Sequence, residues 1–477
     1  MASSTELVHS RLAQWAQEKG AHYAIRNEVS GVTFAELAQQ VQDHAETLNQ
    51  TCAPATVLQD PSLPLPQRLV RFLGTVASGR CAAVSDPAWP AAVFDAVRQC
   101  LPTVPSSHEP PTALTPFYIG FTSGSTGLPK GFRRHHRSWT ESFDLCLSTF
   151  GEAASTCIFV PGRDSHSLFL FGMLLGLWTG AGVVVQEQFS ASAALDTLRL
   201  GDTPCLVAVP SQLLMMLEWA QHRRLAPITG VRLVFISGAR WPRNRTPELQ
   251  ALFPESRVIE FYGASETSFI AWTESHTDLP DNVVGQPFDN VDVEVRGATE
   301  DSPDGLIYVR SPMVFIDYVG SGNDHTAAIR DGDWVCVRDL GHVDAFGRLC
   351  VAGRESRMLI TLAKKLFPEE LEAVLETHPA VERASVHGIP DATRGLQVVA
   401  VVQLSTAGAH SLPPTDLHTL QDWCRSRLEA FKVPRQVWTC VDWAVTTSGK
   451  TDHATLGHAV VVTQGKEVSS PCLTPLH

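Results

Sequence analysis

Apolar positions along this chain fall into short blocks separated by polar and glycine-rich segments. Valine-rich runs at 205–209 and 231–236 are each followed by a helical or turn-like segment. That alternation predicts a sheet whose strands are joined by crossover helices. Residues 117–119 read as a further short strand feeding a glycine-rich loop. The longest apolar stretch, 168–185, is broken by Gly172, Gly176, Gly180 and Gly182 with Thr179, so it predicts a buried helix running into a core strand rather than a membrane span. The expected fold class is α/β, with a large, layered N-terminal domain of several subdomains.

The texture changes near Gly353. Residues 354–357 carry charge and no apolar side chain, and an amphipathic helix opens at 369–375. The domain boundary is therefore placed there: 1–353 as the large domain, 354–357 as a hinge, and 358–477 as a small, mobile α+β domain of about 120 residues, a normal domain size. Its expected elements are strands at 384–388 and 396–404 and a helix around 420–428. Residues 411–415 read as an ordinary proline-containing loop, and the stretch after 456 carries no informative pattern.

Composition narrows the function. A chain of 477 residues, 44% of them hydrophobic, can bury a large core and exceeds one ordinary domain. The net charge of −13 argues against a general nucleic-acid or anionic-membrane binder, because phosphate backbones attract basic faces. Eleven cysteines without any Cys-x-x-Cys pair give neither a disulfide framework nor a zinc site. The N-terminus, Met-Ala-Ser-Ser-Thr-Glu, has no basic region followed by an apolar core, so no secretory signal is expected and the expected location is the cytoplasm.

The segment 118–131, YIGFTSGSTGLPKG, carries the most chemistry. Its glycines let backbone N–H groups approach an anion, its hydroxyls add donors, and Lys130 adds a point charge. A P-loop would need Gly-Lys followed directly by Ser or Thr, whereas Lys130 lies between Pro129 and Gly131. The bland reading is a flexible linker. The preceding strand, and the basic run of Arg133, Arg134, His135, His136 and Arg137, favour a site for a small anionic ligand.

That segment resembles the phosphate-binding signature of the AMP-forming adenylating enzymes, the superfamily of acyl-CoA synthetases, peptide-synthetase adenylation domains and luciferases. Further matches follow in the family's order along nearly the whole chain: GVTFAEL at 31–37, FLGTVASG at 72–79 with Asp86-Pro87, FYGASET at 261–267, VGQP at 284–287, Asp339, Gly353-Arg354, and TSGK at 447–450. The chain is most similar to an acyl-CoA synthetase. The resemblance implies a ligase that joins a carboxylic acid to CoA at the expense of ATP, through an acyl-adenylate, with Mg²⁺. It assigns Thr122, Ser123, Gly124, Ser125, Thr126, Gly127 and Lys130 to the phosphates, and Gly238, Ala239, Tyr262, Gly263, Ala264, Ser265 and Thr267 to the nucleotide. Glu266 would hold Mg²⁺, Asp339 would accept the ribose hydroxyls, and Arg354 and Lys450 would join Glu266, Lys130 and His166 in catalysis. Taken singly, Glu266 is equally a solvated carboxylate, Tyr262 a core tyrosine, Asp339 a turn-starting residue and Lys450 a solvated lysine.

His166 matches a histidine that acyl-CoA synthetase relatives carry before the acyl-binding helix. Asp164, two residues earlier, is the alternative, in the place of the aspartate by which amino-acid-activating relatives hold an α-ammonium. Leu168, Phe169, Phe171, Met173 and Leu174 point to a fatty or aromatic acid, or equally to ordinary core. Ser356, Ile360 and Ala363 depart from the family's hinge and pantetheine-path residues, and the segment ahead of the phosphate loop is short. Of these, Ser356 and Ala363 bear mainly on the thioester step and keep open an acyl carrier protein in place of CoA, Ile360 standing where the family usually has a lysine. A non-catalytic nucleotide-binding homologue is the reading from a different class. No nucleic-acid partner is expected.

Overall fold

The computed structural model describes residues 6–105, 109–122, 129–300, 303–319, 328–362, 364–391, 394–405, 415–446, 450–464 and 473–476. The two valine-rich runs form strands Cys205–Ala208 and Leu233–Ile236, every residue of which is buried. Such strands read as continuous apolar runs because helices cover both faces of a parallel sheet. They sit inside a run of parallel strands in the spatial order Tyr23–Arg26, Val183–Val185, Ile158–Val160, Cys205–Ala208, Leu233–Ile236 and Arg257–Ala264. Beyond Arg257–Ala264 the sheet continues antiparallel through Ser268–Glu274, Val283–Pro287, Leu349–Arg354 and Asp339–Val343.

Residues 168–185 behave as their composition predicts. Helix Ser167–Trp178 packs into the core and leads into strand Val183–Val185. The glycines permit that packing: a Cβ at Gly172 would lie 3.1 Å from Val160 and Val207, and one at Gly176 would lie 2.5 Å from the Gly182 carbonyl oxygen. Among the described residues no helix is long and apolar enough to cross a membrane.

A second sheet runs Asp317–Val319, Lys130–His135, Pro116–Thr122, Cys81–Ala83 and Thr56–Leu58. It holds both ends of the glycine-rich loop, since Pro116–Thr122 and Lys130–His135 pair antiparallel with Thr122 opposite Lys130. The segment 31–37 contributes a helix start: Thr33 and Glu36 form a reciprocal capping box on helix Phe34–Gln50, which satisfies two otherwise orphan N–H groups.

The third sheet begins with Leu359–Thr361 and contains Lys364–Leu366, Gly395–Leu404, Val381–Asp391, Gln436–Cys440 and Leu473–Pro475. Helices Pro368–Glu376 and Leu417–Arg425 cover it, burying Leu371, Leu375, Leu420 and Cys424. The expected helix at 420–428 starts earlier because the Asp416 carboxylate accepts from the Thr419 amide at 2.7 Å. Of the stretch after 456, residues 457–464 belong to helix His453–Gln464 and 473–475 to the strand Leu473–Pro475. The helix's three consecutive valines at 460–462 carry no amphipathic signal; the Asp452 carboxylate fixes the start by accepting from the Thr455 amide and hydroxyl at 3.0 and 2.8 Å. Residues 411–414 of the expected loop lie outside the described residues. The described cysteines are all free thiols.

One buried ion pair ties the helix Leu65–Ala77 to the central sheet. Arg68 Nε contacts both Asp164 oxygens at 3.1 Å, its Nη2 contacts Oδ1 at 2.8 Å, and its Nη1 reaches Glu187 at 2.7 Å. Removing one partner of such a pair strands a buried charge. Asp164→Ala should therefore cost about 3 kcal/mol, the low end for a broken buried pair because Glu187 still faces Arg68. The check is the midpoint of chemical denaturation.

Candidate active site

The carboxyl ends of the parallel strands open onto a cleft of about 3110 Å³, closed on its far side by the small domain. That is where ligands bind in open α/β sheets, because the loops leaving adjacent strands diverge there. Thr122, Lys130, His166, Gly238, Ala239, Tyr262, Gly263, Ala264, Ser265, Glu266, Asp339, Arg354 and Lys450 all line it. These candidates are separated by up to hundreds of residues in sequence and meet in one space. Ser123, Gly124, Ser125, Thr126 and Gly127 lie outside the described residues, as does Ala363. Thr267 is fully buried and faces the other way.

Backbone geometry shapes the floor. Gly238 follows strand Leu233–Ile236 with φ of +90°, a conformation that L side chains rarely adopt. In the turn after strand Arg257–Ala264, Thr267 holds Ala264 twice: its hydroxyl accepts from the Ala264 amide and its own amide donates to the Ala264 carbonyl, both at 3.2 Å. Thr267 thus shapes the loop that presents Ala264, Ser265 and Glu266.

Beneath this turn lies Arg134, which strand alternation puts on the same face as Phe132. It is 2% exposed. It donates to the carbonyls of Ser265 and Met313 at 2.6 and 2.5 Å, and to the hydroxyls of Ser268 and Ser138 at 2.5 and 3.2 Å. Burial pulls its pKa down, while Tyr118 and Glu266 pull it up. The basic run expected to face a ligand is instead dispersed. Arg133 pairs with Asp317 at 2.6 Å, His135 caps helix His136–Phe150, His136 stacks on Phe117, and Arg137 pairs with Glu141. A strand sends consecutive side chains to opposite faces, so a run of like charge need not make a patch.

Two linked groups dominate the polar wall. Tyr262 Oη donates to Asp339 Oδ2 at 2.6 Å. Asp339 is buried, and its Oδ1 makes no hydrogen bond, although Arg354 Nε stands 3.2 Å away. Asp339 and Arg354 are direct cross-strand partners. Burial and then the neighbouring carboxylate hold the Tyr262 phenol well above its usual pKa, so it stays a donor. On the other side, the Lys130 ammonium sits 3.6 Å above the Tyr318 ring, and Tyr318 Oη donates to Glu266 Oε1 at 2.8 Å. Tyr318, which bridges the phosphate-loop lysine to the carboxylate, carries no signal of its own in the sequence.

Lys450 reaches the cleft from the small domain, and its Cε would lie 3.7 Å from a Cβ at Gly238. Lys450 is an exposed residue of the cleft lining. Burial, and then Arg354, lower its pKa to about 8 against the opposing pull of Glu266 and Asp339. His166 caps helix Ser167–Trp178 by position, and its Nδ1 is buried without a hydrogen-bond partner. Burial and Lys450 push its pKa down to about 3, so the ring is neutral. Asp164 is bound to Arg68 and is absent from the cleft lining. It therefore offers no counter-charge for an α-ammonium there. Leu168, Phe169 and Phe171 line the cleft beside Trp89, Phe121, Trp139 and Phe269, whereas Met173 and Leu174 are core residues.

Residues 50–319 match the family model "AMP-binding enzyme", and residues 370–450 match "AMP-binding enzyme C-terminal domain". The chain belongs to the AMP-binding enzyme family. Among its family relatives is the uncharacterized acyl-CoA ligase YhfT of Bacillus subtilis, 36% identical over 75% of this chain and 70% of the relative. The 2-succinylbenzoate–CoA ligase of Arabidopsis thaliana is 28% identical over 70% of this chain and 65% of that protein. The fold superposes on the o-succinylbenzoate CoA synthetase MenE of Bacillus subtilis, solved with its acyl-adenylate OSB-AMP, with a TM-score of 0.78 at 21% identity, covering 95% of this chain and 98% of that one.

The neighbours of Lys450 set the direction of its titration. Arg354 is a like charge that disfavours the ammonium, so Arg354→Ala should raise the Lys450 pKa above about 8. Glu266→Gln removes an opposite charge and should lower it further. NMR titration of ¹³C-methylated lysine, with Lys450→Arg to assign the signal, reads both shifts.

Proposed function

We propose that this protein is an AMP-forming acyl-CoA synthetase acting on an aromatic or fatty carboxylic acid. The observation that carries the reading is the meeting of Lys130, Glu266, Tyr262, Asp339, Arg354 and Lys450 in one cleft beside an apolar, aromatic wall. Its curated relatives bear acyl-CoA ligase names. A carboxylate oxygen of the acid bonds to the α-phosphorus of ATP and pyrophosphate leaves. The CoA sulfur then bonds to the acyl carbon, AMP leaves, and the thiol proton is released.

The residues divide the work by charge. Bringing a carboxylate against a polyphosphate requires cations positioned in advance, where they cost no reorganisation during reaction. Lys130 and the loop it closes hold the β- and γ-phosphates, and Lys450 neutralises charge developing around the α-phosphorus. Asp339 Oδ1, buried and without a hydrogen bond, accepts from ribose hydroxyls, while Tyr262 keeps Oδ2 oriented and lies against the adenine. Neutral His166 borders the acid without adding charge to an apolar wall, and Ala264 and Ser265 lie beside the reacting groups. Among the described residues no three His, Cys, Asp or Glu side chains group to hold a metal. That donor set fits Mg²⁺, which binds through one or two carboxylates and the substrate's phosphates, with Glu266 as the protein ligand. When bound, the ion would add positive charge at the phosphates.

Residues 354–357 act as the hinge between 1–353 and 358–477, letting the small domain withdraw Lys450 and admit the thiol, a lid motion with two states. We place the enzyme in the cytoplasm, with CoA rather than a carrier protein as acceptor.

The test is incubation with Mg-ATP and a panel of aryl, fatty and amino acids, with and without CoA, followed by mass spectrometry of AMP, ADP and acyl product. Acid-dependent AMP with acyl-CoA is expected. Acyl-AMP that never passes to CoA would transfer the acceptor role to a carrier protein, and ADP would refute the adenylation chemistry. Lys450→Ala should suppress pyrophosphate release by about 100-fold, the scale of losing one preorganised charge, while ATP still binds; pyrophosphate release at the wild-type rate would remove Lys450 from the mechanism.

A further inference from the structure

Behind Lys450 lies a buried polar cluster that no step above uses. Ser385, fully buried on strand Val381–Asp391, has its hydroxyl 2.8 Å from His387 Nε2 and 2.7 Å from His453 Nδ1. His453 Nδ1 is also 3.2 Å from the Arg357 guanidinium. Arg357 in turn contacts Glu372 at 2.5 Å and Glu369 at 2.9 Å. One patch thus joins the 354–357 segment, helix Pro368–Glu376, strand Val381–Asp391 and the first residue of helix His453–Gln464.

Hydrogen-bond parity assigns the protons. A guanidinium only donates, so a bare His453 Nδ1 suits both neighbours, its single lone pair directed at the Ser385 hydroxyl 2.7 Å away and shared with the longer 3.2 Å Arg357 contact. Ser385 then donates its one proton to the same Nδ1 and accepts from His387 Nε2–H. The arrangement needs both imidazoles neutral. Burial, with Arg357 adding to it, lowers the His387 pKa to about 4. Burial likewise brings His453 to about 4 even though Glu372 opposes the shift from 3.6 Å.

His453 stands three residues after Lys450. The residues between them are committed: Thr451 accepts from Trp443 Nε1 at 3.2 Å, and Asp452 caps the helix that His453 begins. Lys450 itself is held on a hairpin, its amide donating to Thr446 Oγ1 at 3.2 Å and its carbonyl accepting from the Thr446 amide at 2.8 Å. Val445 and Thr451 bridge at the base of that turn, one residue before Asp452 caps the helix, and the helix start is held sideways by the His453 imidazole. On the adjoining face a Cβ at Gly457 would come within 2.9 Å of His387 Nδ1, so the helix packs directly on the strand bearing the cluster.

We propose that His453 is a positioning residue for adenylation: bonded through its bare Nδ1 to Ser385 and Arg357, it fixes the hairpin that aims Lys450 into the cleft. The inference rests on the reading of Lys450 given above. It implies that losing the clamp slows the Lys450-dependent step and spares the step that proceeds with Lys450 withdrawn.

The test measures the two half-reactions separately, with an acid that the wild-type protein activates. Acid-dependent pyrophosphate release reports adenylation, and preformed acyl-adenylate plus CoA reports thioester formation. His453→Ala should lower kcat for adenylation roughly 10- to 100-fold, the cost of a displacement near 1 Å at a reacting centre, with KM for ATP and the thioester rate unchanged. Ser385→Ala should follow it. His453→Asn, whose amide oxygen can stand where Nδ1 stood, should restore most of the rate, and thermal melts of all three confirm folding. Unchanged adenylation in His453→Ala and Ser385→Ala, or equal loss in both half-reactions without rescue by Asn, overturns the proposal while leaving the ligase reading intact. A wild-type protein that releases no pyrophosphate with any acid overturns both.

Discussion

The site is organised around a buried guanidinium that, among the described residues, makes no direct ion pair with a carboxylate. Among the described residues Arg134 is answered by carbonyl and hydroxyl oxygens from three segments: Ser138 on the helix that follows its own strand, Ser265 and Ser268 in the turn bearing Glu266, and Met313. A charge taken out of water must be surrounded by aligned dipoles or it costs several kcal/mol. Meeting that need draws the phosphate-loop sheet and the central sheet together at one point. Lys130, four residues earlier on the same strand, then reaches Glu266 through Tyr318, so the strand carrying Lys130 and the turn carrying Glu266 share one base.

Above this base the cleft gathers Lys130, Arg354 and Lys450 against Glu266 and Asp339. Burial first and then the like charge of Arg354 lower the affinity of Lys450 for its proton. Lys450 reaches the cleft from the small domain, where a polar network ties down the segment that carries it.

Much of the fold was legible because burial leaves a mark on composition. The parallel strands at 205–208 and 233–236, the buried helix and strand within 168–185, and the amphipathic helix at 368–376 all follow from apolar periodicity. Helix His453–Gln464 left no such mark: its helical start comes from Asp452, and consecutive valines show no helical face. The basic run at 133–137 misled for a related reason, since adjacent strand residues point apart and each found a different neighbour. Tyr318 escaped notice, and Arg134 was read only as part of a basic run, because their roles depend on partners 52 and 131 residues away.

The sequence by itself determined the family, because its motifs stand in the family's order along the chain, and with it the charged groups that the resemblance nominates. Only the tertiary structure decided which of those groups meet. Asp164 and His166 are two residues apart, yet one is consumed by Arg68 and the other borders the cleft. Thr267 and Ser265 are likewise two apart, yet one shapes the turn and the other faces the ligand space. Side-chain direction and long-range pairing make those choices, and both are set by packing between segments that are distant in the chain.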